Sequence, residues 1–95
     1  MKINEIKRGM SNIVLEAKVI DISEIREVMT RFGRRDVADA TLEDESGQIS
    51  LTLWQDQIKM VKVGNKVSIA GAFATEFREK LQLSIPRSGK LEVAE

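Results

Sequence analysis

Histidine, cysteine and tyrosine are absent from this chain, and proline and tryptophan occur once each. Without cysteine there is no disulfide framework, zinc–thiolate site or thiol nucleophile. Without histidine, the commonest general base and transition-metal ligand is missing too. These absences set catalysis and any cofactor aside. No apolar run approaches the ~20 residues that cross a bilayer, so no membrane partner is expected. The start, Met1-Lys2-Ile3-Asn4-Glu5, has no signal-peptide stretch, and a cytosolic location is the default. No glycine-rich loop of phosphate-cradling type occurs. Aromatics are scarce: Phe32, Trp54, Phe73 and Phe77 are all there are.

What is present describes one domain, residues 1–95, with 42% hydrophobic and 32% charged residues. Fifteen basic residues balance fifteen acidic ones, so any recognition of a charged partner depends on local distribution.

Five stretches read as strands. The first spans about 11–22, with Ile13, Leu15, Ala17 and Val19 alternating against Val14, Glu16, Lys18 and Ile20. Its length predicts a strand that bends to serve two sheets. The second, about 36–43, puts Ala38, Ala40 and Leu42 on one face and Val37, Asp39 and Thr41 on the other. Asp44-Glu45-Ser46-Gly47 is a tight, solvated turn. The third strand is 48–54, followed by one or two helical turns over 55–61. Strands at 66–75 and 80–85 follow, and 91–93 adds a short closing strand. Ile3, Ile6 and Met10 form a lid over the core. Three strands, a short helix and two more strands give the order of an all-β, five-stranded OB-fold barrel. An open sandwich and an SH3-like barrel fit less well, because the helix falls between the third and fourth strands.

Trp54 ends a strand in which Ile49, Leu51 and Leu53 share one face and Gln48, Ser50 and Thr52 the other. Regular alternation turns Trp54 outward with the polar set, which suggests a ligand that covers it. The alternative has Trp54 leaving the strand and tucking beneath a flanking loop.

Two connections carry the remaining signals. Residues 23–35 form a long loop with Arg26, Arg31, Arg34 and Arg35 against Glu24 and Glu27, and with Phe32 and Gly33 at its tip. An aromatic among arginines suits base stacking and phosphate neutralisation. The alternative is a solvated hairpin extension whose Phe32 folds back on the sheet. Residues 73–80 hold Phe73, Phe77, Arg78 and Lys80, offset by Glu76 and Glu79. Strict alternation from Val67 and Ile69 puts Phe73 in the core, whereas a bulge at Gly71-Ala72 turns it outward.

These residues resemble the archaeal single-stranded-DNA-binding proteins built on one OB fold related to replication protein A. The resemblance covers nearly the whole chain. It is strongest at Asp44-Glu45-Ser46-Gly47, Ile49 through Trp54, Val63-Gly64 and Phe77 through Leu83. It implies that Trp54, Phe73 and Phe77 stack on successive bases, which requires the bulge and moves Phe73 to the binding face. Two departures stand out: Phe73 replaces a frequent tryptophan, and Glu79 a small residue. Many relatives continue into a glycine-rich acidic tail, where this chain ends at Glu95. A natural short form and a domain of a longer polypeptide both fit.

The resulting expectation is a non-catalytic, nucleoid-associated binder of single-stranded DNA acting in replication, repair or recombination, with weak sequence preference. Arg31, Arg34, Arg35, Arg78 and Lys80 neutralise phosphates, Lys18 sits at the rim, and Thr52, Gln82 and Ser84 offer hydrogen bonds. RNA is an alternative ligand. A protein-interaction module within a replication protein A-like complex is the alternative role.

Overall fold

The computed structural model describes residues 2–86 and 89–94, with the backbone alone for Asp56, Phe77 and Ala94. β1 (Ile13–Ile22) starts an alternation in which Ile13, Leu15, Ala17 and Val19 are buried and their neighbours face solvent. Its first half pairs antiparallel with β5 (Lys66–Phe77) and its second half with β3 (Gly33–Asp44). A register shift between Val19 and Asp21 marks where it passes from one partner to the other, as its length predicts.

β3 pairs antiparallel with β4 (Gly47–Trp54), and β4 pairs parallel with β6 (Lys80–Ser84). β6 returns antiparallel to β5, which closes a ring of five strands, β1-β3-β4-β6-β5. A one-turn helix, α1 (Asp56–Met60), follows β4 and lies within the expected 55–61. This is the OB arrangement read from the strand order. β7 (Lys90–Ala94) adds to the edge of β5.

The ring encloses an aliphatic core. Leu42, Leu51, Leu53, Ile69 and Leu83 are fully buried, and Ala38, Ala40, Ala72 and Ala74 let facing strands approach closely. Phe32, Trp54 and Phe73 are not in it. A turn of 3-10 helix, Ile3–Glu5, covers one end; Ile3 and Ile6 are buried and Met10 packs against them.

Two readings need correction. Residues 23–35 are not a long loop: β2 (Arg26–Thr30) pairs with the first residues of β3 to make a hairpin whose tip is Arg31-Phe32. Neither β2 nor the first turns of β3 shows apolar alternation, because the hairpin projects from the core with solvent on both sides. Nor does Phe32 fold back on the sheet; it is 75% exposed. The connection after Phe73 is equally tight. Phe73 lies inside β5, and the reversal consists of Arg78 and Glu79 alone, both left-handed, with φ of 53° and 67°.

Within the turn at Asp44-Glu45-Ser46-Gly47, Asp44 acts as a clasp that engages both of its carboxylate oxygens. One carboxylate oxygen accepts from the Ser46 amide (2.7 Å), the Ser46 hydroxyl (2.6 Å) and the Gly47 amide (3.2 Å). The other accepts from the Ile3 amide at 2.8 Å, tying the N-terminal turn to the β3–β4 reversal. Burial alone pushes the Asp44 carboxyl up. The Ser46 hydroxyl and the Ile3, Ser46 and Gly47 amides outweigh it and hold the group below its ordinary value.

Candidate nucleic-acid interface

Residues that alternate out of the core line up in rows across the outer face of β3, β4, β6 and β5. One row reads Asp39, Thr52, Ser84, Phe73; the next reads Thr41, Ser50, Gln82, Thr75. Small hydroxyl and amide side chains fill the middle of this face, so an extended polymer can approach the backbone closely there.

Trp54 stands one row further along β4, opposite Val37, and is 37% exposed. Its outward phase is the one that alternation predicts. The end of its strand is fixed by two hydrogen bonds. The Trp54 amide donates to Gln57 Oε1 at 3.0 Å, and the Gln55 amide donates to the Asp36 carbonyl at 2.9 Å. Gln55 takes a strained conformation, φ 46° and ψ −110°, to turn the chain from strand to helix at this point. Trp54 therefore sits on a held strand end rather than beneath a loop.

Beside it opens a cleft of about 960 Å³, lined by Arg31, Phe32 and Arg35 from the hairpin and by Trp54, Gln55 and Met60. Met60 is 49% exposed and was not anticipated; a methionine in a one-turn helix carries no distinguishing signal. Thr30 sets the hairpin tip. Its hydroxyl accepts from the Phe32 amide (3.1 Å) and donates to the Gly33 carbonyl (2.8 Å).

Phe73 owes its phase to Gly71. Along β1 the pairing steps from Ile13 to Leu15 while β5 steps from Ala72 to Ile69, so β5 carries one extra residue. Gly71 absorbs it at φ 76°, a left-handed value that glycine adopts without penalty. Ala72 and Ala74 consequently face the core, and Phe73 faces outward beside Ser84. Phe73 lies two strands across and one row along from Trp54, roughly 12 Å away by ordinary sheet spacing. Phe77 pairs with Lys80 at the hairpin end, but its side chain lies outside the described residues.

A second cleft, about 630 Å³, opens at the far end of the same face between Thr41, Gln48, Ser50, Lys80 and Gln82, with Glu79 on its rim. Trp54 and Gln48 mark the two ends along β4, roughly 20 Å apart at the usual rise per residue.

The charged candidates divide between faces. Arg31 and Arg35 reach the Trp54 cleft, and Lys80 the far cleft. Arg78 lies at the β5–β6 tip. Arg34 points to the other side of the hairpin, because it alternates with Arg35, and it pairs with Glu27 at 3.5 Å. Lys18 lines a separate depression near Lys2 and Glu45. Asp39 puts a carboxylate among the outward rows, where Arg26 balances it at 3.0 Å. Sequence reading gave Arg26 no role on this face.

The family described as single-stranded DNA binding protein Ssb-like, OB fold, matches residues 6–93. The chain belongs to this family. A Saccharolobus solfataricus member, the single-stranded DNA binding protein Ssb, is 32% identical over 94 residues. That match takes in 99% of this chain but 62% of the relative, so the chain spans less than two thirds of it. Among solved structures, an OB domain from Thermoplasma acidophilum superposes with a TM-score of 0.85 at 20% identity, covering 99% of this chain and 85% of that one. A replication factor A related protein from Methanobacterium thermoautotrophicum gives 0.82 at 21%, covering 100% and 90%. These two likenesses are of fold. Within the Ssb-like family, the tight Arg78-Glu79 reversal and the Arg31-Phe32 hairpin frame the outward face of this member.

Proposed function

We propose that this protein binds single-stranded DNA without catalysis, along the outward face of β3, β4, β6 and β5. The observation that carries the reading is the pair of clefts at opposite ends of one small-residue face, with Trp54 in one and Gln48, Lys80 and Gln82 in the other. Family membership supports it, as does the Saccharolobus relative, which is a single-stranded DNA binding protein.

In this reading Trp54, Phe73 and Phe77 stack on successive bases, each stack contributing ~1–3 kcal/mol. Arg31, Arg35, Arg78 and Lys80 neutralise phosphates. Thr52, Ser84 and Gln82 donate to sugars or base edges from the middle rows. A face roughly 20 Å long accommodates ~4–5 nucleotides, within the range for one OB fold. Stacking accepts any base, so discrimination by sequence is weak.

The test is a tryptophan-fluorescence titration with oligo-dT, with matched RNA as competitor. Quenching that saturates, and that RNA reverses poorly, is the expected result. An unchanged spectrum together with an unchanged elution volume on gel filtration rules the reading out and leaves a protein-interaction module.

A further inference from the structure

The cleft beside Trp54 has two apolar walls. Trp54 is fixed by its strand-end hydrogen bonds, and Phe32 lines the same cleft from a hairpin tip that the Thr30 hydroxyl holds in shape. Phe32 is 75% exposed and Met60, on the same cleft, 49%, so apolar surface here is left open to water. Arg31 and Arg35 line the cleft, and among the described residues no acidic side chain does. Two aromatic rings, the amide of the Gln55 side chain and two guanidinium groups lining one cleft have the chemistry to take one nucleobase with its own phosphate.

We infer that Phe32 and Trp54 together clamp a single base, Trp54 on one face and Phe32 on the other, with Arg31 and Arg35 on the adjoining phosphate. This rests on the single-stranded DNA reading and adds to it. Phe32 then acts on the same base as Trp54 and provides no separate platform along the strand. The cleft is continuous with the stacking face through Trp54, so the clamped base is the terminal one of the bound segment. The hairpin supplies the lid because β3 carries it beyond the closed ring, where no core contact competes for Phe32.

The test is a double-mutant cycle on binding of end-labelled oligo-dT, read by anisotropy, with wild type, Phe32→Ala, Trp54→Ala and the double variant. Each single change weakens binding about 5-fold or more, the lower end of one base–aromatic stack. The double variant loses clearly less than the product of the two, because one base has already lost its clamp. Phe32 contributes nothing to the core, so circular dichroism is the same for wild type and Phe32→Ala. Two results overturn the clamp while leaving single-stranded DNA binding intact: Phe32→Ala binding as wild type does, or single losses that multiply in full. Failure of the wild type to bind oligo-dT is a different outcome and removes the parent reading.

Discussion

Val37 lies directly opposite Trp54 in the β3–β4 ladder and is 2% exposed, although it belongs to the outward-facing set and stands outside the core cluster. Trp54 thus has an apolar neighbour beneath it and an open cleft beside it. Its replacement by alanine removes a cross-strand pair worth up to about 1 kcal/mol. The fold survives, since the core does not include Trp54. Binding of labelled oligo-dT falls by one stack, ~1–3 kcal/mol. Anisotropy and thermal denaturation, measured on the same preparation, separate the two effects.

Gly71→Ala is expected to destabilise the protein by about 1 kcal/mol, because an L-residue at φ 76° meets the left-handed penalty. A change in the bulge would also disturb the phase that turns Phe73 outward. DNA affinity should therefore fall along with the melting temperature, although Gly71 itself touches no proposed ligand. Loss of stability with full retention of affinity would separate the bulge from the site.

Glu79→Gly should act in the opposite direction. It relieves a left-handed non-glycine residue at φ 67°, a gain of about 1 kcal/mol, and removes a negative charge from the rim of the far cleft. Higher melting temperature and tighter oligo-dT binding are expected together. A variant that melts earlier would show that the Glu79 side chain supports the turn.

Asp44 makes stability depend on acid. Its folded-state pKa is depressed, so the clasp contributes fully above the ordinary value of 3.8 and is lost as pH falls through the lowered one. Asp44→Ala should cost about 1–2 kcal/mol at neutral pH, in the range of a charge-assisted hydrogen-bond set that is partly solvated. The gap to wild type then narrows in acid, a trend that denaturation curves at several pH values report directly.

Salt dependence measures the electrostatic share. Four cations, Arg31, Arg35, Arg78 and Lys80, predict a log–log slope of about −3 for a single strand. A slope steeper than about −5 would mean that cations on other faces, Arg34 and Lys18 among them, also meet phosphate.

Much of this architecture was legible in the chain. Strict alternation located β4 and β6 and assigned Trp54 its outward phase, because each of these strands has one face on an aliphatic core. The features that escaped have physical reasons. β2 has no core to pack against, so Arg26–Thr30 shows no apolar period, and Arg31-Phe32 lacks the Asn-Gly signal of a two-residue reversal. Phe73 could not be phased by counting, since one extra residue at Gly71 inverts every later position; only the resemblance favoured the bulge. The clasp at Asp44 joins residues 41 positions apart, a separation that local patterning does not report. Asp-x-Ser-Gly was its one local trace, and it read as an ordinary turn.

β3 is a single continuous strand twelve residues long, yet it belongs to two structures of unequal permanence. From Val37 onward it is locked against β4, and from Gly33 to Asp36 its ladder partner is β2. Amide deuteration in the free protein should accordingly be slow beyond Val37 and fast in the hairpin, with the boundary inside one strand. Any ligand gripped at the tip will be felt there first, as slowed exchange at residues far from the core that the rest of the molecule never sees move.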